Sequence, residues 1–174
     1  MRTAWAVRSL VAGVAGTAVM TLAYEAERRL RHRTTSIDYD DSVVPGQIVA
    51  SILDLHGVTD QEDLELGELL RWSYGSAFGI WHGVLRTVVP EPYAALLFGS
   101  TLLGATFTAF PLLGRTPPPW RWPPDVIATA VGTHAAYTLA VAVVDDALRP
   151  SRDRAGQRSE GARRRARAGA SAAL

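Results

Sequence analysis

The chain has no cysteine and no lysine, and all 18 basic side chains among its 174 residues are arginine. The absence of cysteine excludes disulfides, thiolate catalysis and zinc or iron–sulfur sites that use Cys ligands. The net charge at pH 7 is only +1, so no overall positive field favours a nucleic-acid partner. The distribution of charge along the chain is therefore more informative than its total.

Three long segments lack charged side chains. No Asp, Glu, Lys or Arg occurs in the 23 residues from Pro92 to Gly114 or in the 16 residues from Ser9 to Tyr24. The 19 residues from Val126 to Val144 carry no such residue either, although they contain His134. A helix rises about 1.5 Å per residue, so about 20 apolar residues cross the core of a bilayer. The pattern is typical of a multi-pass membrane protein.

We predict an all-α fold, namely an integral membrane bundle of four transmembrane helices at about 5–24, 69–89, 93–113 and 125–144. The second span is the least hydrophobic, because it contains Arg71, His82 and Arg86. Such a helix is stable in a bilayer only if neighbouring helices cover its polar side. The membrane domain would comprise residues 1–148.

Two further segments are expected outside the spans. Residues 46–56 place Ile48, Ile52 and Leu55 on one helical face, but the segment is too short to cross a bilayer. We predict a short interfacial amphipathic helix there, between spans one and two. Residues 149–174 contain eight Arg and no apolar cluster, so we predict a disordered tail.

The orientation is predicted from the arginines. Four spans place both termini on the same side, and Arg163–Arg165 are unfavourable to translocate, so we expect cytoplasmic termini in a bacterial inner membrane. The first span could alternatively be a cleaved signal peptide. Arg28–Arg33 follow it directly and oppose translocation, which favours an uncleaved span.

Small residues recur at four-residue helical spacing on two spans. Gly75, Gly79 and Gly83 lie on one face of span two, and Gly13 and Gly16 lie in two neighbouring rows of span one. Such rows let helix backbones approach closely in a membrane. We predict helix packing through these glycines. A backbone groove for a lipid, quinone or haem is the alternative.

His82, His134 and Tyr137 form the candidate intramembrane polar site. A helical rise places the two imidazoles within roughly 5 Å of the same depth. Histidines on two helices could share a proton, ligate haem or hold a metal. Alternatively, each imidazole bonds a neighbouring hydroxyl. No third ligand of the usual kind is evident, so we predict no metal site.

Charged residues near the span ends predict ion pairs. Arg86 is expected to pair with Asp145 or Asp146, and Arg71 with Glu25, because an Arg inside a bundle is costly without a carboxylate. The alternative is that these side chains extend to water at the interfaces.

The chain contains no G-x-S-x-G, H-E-x-x-H, phosphate-loop or dinucleotide fingerprint. We therefore predict neither an enzyme nor a cofactor site. The Arg-rich tail lacks aromatic side chains for base stacking, so anionic lipid headgroups are its expected partner rather than nucleic acid.

Three motifs resemble small, largely uncharacterised multi-pass inner-membrane proteins of the YagU-like type. They are A-G-x-x-G-T from Ala12 to Thr17 with Glu25 beyond it, P-x-Q-x-x-A from Pro45 to Ala50, and a Tyr-Gly…His-Gly span from Tyr74 to Gly83. The resemblance covers about the first half of the chain. It implies a membrane location and a compact helix bundle, and it supplies no catalytic residues.

The function expected from these features is that of a structural, assembly or accessory membrane subunit. It would contact the lipid bilayer and either a second copy of itself or another membrane protein. The first alternative is transport of protons, ions or small solutes around the two histidines. The second alternative is a redox subunit that binds a cofactor.

Overall fold

Four long helices make up most of the part described by the computed structural model, which is residues 2–31, 44, 48, 52, 60–113 and 116–150. We number them α1 to α4, and a 3-10 turn precedes the last one. No strand occurs among the described residues, so the predicted all-α class is confirmed for this part of the chain. The elements are α1 (Arg2–Arg31), α2 (Asp60–Val88), α3 (Tyr93–Leu113), the 3-10 turn Pro119–Arg121 and α4 (Pro124–Ala147).

Three helices are long and apolar enough to cross a membrane. Their apolar segments are Ala4–Glu27 in α1, Tyr93–Leu113 in α3 and Pro124–Ala147 in α4. Large side chains on them point outward; Leu96 and Leu112 of α3 are 63% and 80% exposed. Extensive apolar exposure is rare on monomeric soluble proteins. The three helices are compatible with a membrane protein.

The remaining long helix, α2, has a polar inner side and an apolar outer side. From Leu69 to the end of the helix, its ionisable residues Arg71, His82 and Arg86 are 6%, 0% and 5% exposed. Trp81 and Val88 lie on its outer side and are 41% and 77% exposed. Neighbouring helices therefore cover these three ionisable side chains of α2.

The backbones of α1 and α2 touch where they cross. A Cβ atom added to Gly79 would lie 2.6 Å from the Gly13 nitrogen, and one added to Gly13 would lie 2.9 Å from the Ser76 carbonyl carbon. At Gly75 the added atom would lie 2.5 Å from Thr17 Oγ1. Gly83 is equally crowded, by the Ser9 side chain. The small residues on both helices are what permits this approach.

The other face of α1 packs against α4. An added Cβ on Gly16 would lie 2.8 Å from the Tyr137 ring and 2.5 Å from Val141 Cγ2. Since Gly13 meets α2 and Gly16 meets α4, the first helix lies between the second and the fourth. The buried apolar core lies beside this contact and is composed of Ala12, Phe98, Leu102, Tyr137 and Val141.

The connection from α3 to α4 is anchored by one buried indole. Trp122 is 6% exposed, its ring lies 5.5 Å from that of Phe107, and its Nε1 donates a 2.6 Å hydrogen bond to the Pro117 carbonyl. Trp120, on the same connector, is 83% exposed. Of these two tryptophans, Trp120 is therefore the one that can reach a surrounding lipid or solvent layer.

Two predicted segments fall largely outside the described residues. Of the interfacial helix at 46–56, the structure describes Ile48 and Ile52, both helical. Of the Arg-rich tail at 149–174, it describes Arg149 and Pro150.

Candidate functional site

A buried ionic cluster joins three helices at one end of the bundle. Its centre is Asp145 of α4, which is fully buried. The carboxylate accepts a 2.8 Å hydrogen bond from Arg8 Nε of α1 and a 3.1 Å bond from Arg149 Nη2. Arg86 Nε of α2 lies 3.7 Å from the same carboxylate. Asp145 therefore ties α1, α2 and the end of α4 together.

A second carboxylate of the cluster comes from the turn between α2 and α3. Glu91 Oε1 accepts a 2.9 Å hydrogen bond from His82 Nε2, and Glu91 Oε2 accepts one of 3.1 Å from the Ala95 backbone N–H. Arg86 Nη1 lies 3.5 Å from Glu91 Oε1. Burial alone would raise the pKa of Glu91, but these hydrogen bonds and the charge of Arg86 hold that pKa below its usual value.

Arg86 lies between the carboxylates of Asp145 and Glu91. Its Nη2 also lies 3.3 Å from Asp146 Oδ1. The predicted pairing of Arg86 with Asp145 or Asp146 matches this geometry, since both lie within ion-pair distance. Apart from His82, the cluster contains three guanidiniums and three carboxylates, namely Arg8, Arg86 and Arg149 with Glu91, Asp145 and Asp146. Because positive and negative charges balance, the buried members of the cluster can lie in a low-dielectric interior.

We expect Glu91→Gln to make the protein less sensitive to acid. Because the pKa of Glu91 is depressed in the folded state, the ionised carboxylate stabilises the fold above the pKa of 4.5 that is usual for this side chain, and this contribution is lost as the pH falls through the folded-state pKa. Denaturant unfolding between pH 7 and pH 3 measures it. The stability difference between wild type and variant should be largest at neutral pH and should narrow in acid. A difference that is constant with pH would contradict the assignment.

The opposite end of the bundle departs from prediction. Glu25 Oε1 accepts a 2.6 Å hydrogen bond from Arg29 Nε. The two residues lie in the same helix, at an exposed position. The Arg71 guanidinium lies 5.8 Å from the centre of the Tyr24 ring. Glu25 thus pairs with Arg29 and not with Arg71 as expected, because the one-turn spacing of Glu25 and Arg29 needs no interhelical approach.

His134 is held between α3 and α4. One ring nitrogen, Nδ1, lies 2.8 Å from the Ala130 carbonyl, and the other, Nε2, lies 3.0 Å from Thr106 Oγ1. A carbonyl can only accept, so Nδ1 carries the proton. The other nitrogen, Nε2, is hydrogen-bonded to the Thr106 hydroxyl. The Tyr137 hydroxyl, one turn further on, donates to the Gly75 carbonyl at 2.5 Å.

The structure does not bring the two histidines together. His82 bonds Glu91, whereas His134 bonds Thr106 and Ala130. The ring of Phe98 lies 5.3 Å from that of His82 and 5.8 Å from that of Tyr137, so an aromatic side chain stands between His82 and the rest of the predicted site. One polar atom there is unsatisfied, since His82 Nδ1 is buried with no hydrogen-bond partner.

A cavity of about 350 Å³ opens next to His134, between the four helices. Each helix contributes to its wall. Most of the lining is apolar, and Arg71 supplies a guanidinium. The described lining residues are Thr17, Met20, Ile48, Arg71, Tyr74, Gly75, Phe78, Leu102, Ala105, Thr106, Ala109, Phe110, His134 and Tyr137.

Sequence reasoning assigned no partner to Arg8, Glu91 or Arg149 in the ionic cluster. Arg149 is one helical turn from Asp145, a spacing that could have revealed the pair. Arg8 and Asp145 are 137 positions apart, and Glu91 reaches His82 across a turn. The cavity left no signal in the sequence.

Comparisons with protein-family models, with curated proteins and with solved structures gave no match. Within the described ranges, no group of three or more His, Cys, Asp or Glu side chains is placed to hold a metal ion. The geometry of the bundle itself is therefore the basis for inferring a function.

Proposed function

We propose that this chain is a four-span integral membrane protein with a non-enzymatic role, as a structural, assembly or accessory subunit. The proposal places it in a bacterial inner membrane with both termini in the cytoplasm. Its partners would be the lipid bilayer and a second copy or another membrane protein. In this proposal α2 is the remaining span, beside the three apolar helices α1, α3 and α4.

The two-sided character of α2 is the observation that carries the proposal. In the part of α2 from Leu69 onward, the charged side chains Arg71 and Arg86 are covered by neighbouring helices, while Trp81 and Val88 point outward. A soluble helix on a protein surface has the reverse arrangement, with polar side chains outward. Intramembrane ionisable residues characteristically face the interior of a bundle. The exposed side of α2 is therefore suited to lipid.

The directions of the helices support the same topology. Arg8 near the start of α1 meets Asp145 near the end of α4, and Thr129 near the start of α4 donates to Glu27 near the end of α1. These contacts make α1 and α4 antiparallel. The tight turn at Pro90 makes α2 and α3 antiparallel as well. An up-down-up-down bundle presents four spans to a membrane.

Cysteine labelling tests the number of spans, and the chain provides a cysteine-free background. Single cysteines would be placed at Ala4, Trp120 and Leu148, one per variant, and treated with a membrane-impermeant maleimide in intact cells. With four spans, positions 4 and 148 lie on one side and position 120 on the other. In intact cells we expect only Trp120→Cys to be labelled. In inside-out vesicles we expect Ala4→Cys and Leu148→Cys to be labelled and Trp120→Cys to be protected.

A cysteine at Ala77, on the exposed outer side of α2, is the matched test of lipid contact. We expect it to resist the reagent in both preparations and to react after denaturation in SDS. If Ala77→Cys reacts as readily as Trp120→Cys, or if positions 4 and 148 fall on opposite sides, α2 is not a span.

A further inference from the structure

The cavity begins about one helical turn from a contact between α2 and α3. Near their connecting turn the two helices touch, through Trp81 Nε1 and Thr101 Oγ1 at 3.3 Å. About one turn further from that connection, Phe78 and Ala105 both line the cavity. Its volume of about 350 Å³ is at the lower end of the range of roughly 300–1,000 Å³ for ligand pockets.

The exposure of the lining residues locates the opening of the cavity. Thr17, Leu102 and Tyr137 line it and are buried. Phe78 of α2 also lines it but is 38% exposed, and Ala105 of α3 is exposed as well. Residues that line a cavity and also reach the outer surface border its opening. The cavity therefore opens sideways, between α2 and α3.

This opening lies near the middle of the proposed membrane layer. Ala105 is two positions beyond Leu103, the midpoint of α3 (Tyr93–Leu113), which corresponds to a helical rise of about 3 Å. A helix that crosses a bilayer has its midpoint in the hydrocarbon core. In the proposed topology, the molecules that surround the opening are therefore acyl chains rather than headgroups or water.

The wall of the cavity is suited to such a chain. Met20, Leu102 and Phe110 supply large apolar surfaces from α1 and α3. Every polar side chain among the described lining residues has an interaction within the protein, namely Thr17, Arg71, Tyr74, Thr106, His134 and Tyr137. An acyl chain makes only apolar contacts, so it leaves all of these interactions in place.

We propose that the cavity binds the methyl end of one acyl chain of a bilayer phospholipid, which enters between Phe78 and Ala105 and reaches Leu102. The chain is held by burial of apolar surface, and its headgroup stays outside the cavity, at the membrane surface. This inference rests on the proposed four-span topology, because that topology places the opening in the hydrocarbon core.

The test is photolabelling of the full chain in phosphatidylcholine bilayers, with the labelled residues mapped by mass spectrometry. Two phosphatidylcholine probes have a diazirine on one acyl chain, near the methyl end in one probe and near the carboxyl end in the other. We expect the methyl-end probe to label Leu102, which is buried and thus shielded from the lipid around the bundle. The carboxyl-end probe should not label it, because that part of the chain lies near the headgroups.

The outward-facing residue Val14 shows that the methyl-end probe reaches the middle of the bilayer. It is 42% exposed and lies near the midpoint of the apolar segment Ala4–Glu27 of α1. Labelling of Val14 without labelling of Leu102 would overturn the proposal. Equal labelling of Leu102 by the two probes would also overturn it, because a chain that enters by its methyl end keeps its carboxyl end outside.

A matched pair of variants tests the route into the cavity. Ala105→Phe narrows the opening and should remove the labelling of Leu102 by the methyl-end probe. Ala135→Phe makes the same change at an exposed position of α4, outside the described wall, and should leave that labelling unchanged. Both variants should retain the labelling of Val14, which reports correct insertion. Labelling of Leu102 that survives Ala105→Phe contradicts entry between α2 and α3.

Failure of this proposal is distinguishable from failure of the four-span topology. If Leu102 stays unlabelled while Trp120→Cys and Leu148→Cys still report opposite sides of the membrane, the bundle stands and the cavity does not bind an acyl chain. If the cysteine test shows that α2 is not a span, the position of the opening in the hydrocarbon core fails with it.

Discussion

Asp145→Asn is expected to lower the free energy of unfolding by about 3–5 kcal/mol, the effect of removing one partner from a buried ion pair. Asp145 is fully buried and faces three guanidiniums, from Arg8, Arg86 and Arg149. The neutral amide would leave those cations with too few anions in an interior that solvates charge poorly. Folded domains are stable by only about 5–15 kcal/mol, so a loss of this size is a large fraction of the total.

The neighbouring residue supplies a matched control. Asp146→Asn makes the same chemical change one position along the same helix, but the Asp146 side chain is 54% exposed and has one ion-pair partner, Arg86 at 3.3 Å. Exposed pairs of this kind contribute about 0–1 kcal/mol. We expect the two variants to differ by at least about 2 kcal/mol.

The measurement is unfolding by SDS in mixed micelles, followed by far-ultraviolet circular dichroism, for wild type and both variants. The loss in Asp145→Asn should be partly recovered by adding Arg8→Met, because that second change removes one of the unpaired cations while keeping an unbranched side chain. Equal stability of Asp145→Asn and Asp146→Asn would show that the ionic cluster does not hold the helices together.

Which residues share one face of a helix could be predicted from the sequence. Four-residue spacing placed Gly75, Gly79 and Gly83 on one face of α2, and that face meets α1. Charge depletion located α3, whose bounds Tyr93–Leu113 match the predicted span. Both results follow from the 3.6-residue period and from length, which are local properties of the chain.

Contacts between helices were harder to predict, for a physical reason. Depth along the bundle follows from helical rise, and Arg86 lies 3.7 Å from Asp145, one of the two carboxylates expected to pair with it. Depth does not fix the direction in which a side chain points. His82 and His134 therefore lie at similar predicted depths yet face different partners, Glu91 in one case and Thr106 in the other. The rotation of each helix is set by packing of the whole bundle, which short motifs do not encode.

Gly79→Ala is the second substitution for which we expect a large effect, a loss of about 2–3 kcal/mol in the free energy of unfolding. The added methyl group would lie 2.6 Å from the Gly13 nitrogen and 2.7 Å from its Cα. Real Cβ atoms do not approach other atoms so closely, and the obstacle is backbone rather than a movable side chain. The crossing of α1 and α2 must therefore widen.

Gly104→Ala is the control for this change, because an added Cβ there meets nothing within 4 Å. Alanine favours the helical conformation over glycine by up to about 1 kcal/mol, so this variant should be as stable as wild type or slightly more stable. The same SDS titration compares the two. If Gly79→Ala matches Gly104→Ala, close backbone contact is not what holds α1 against α2.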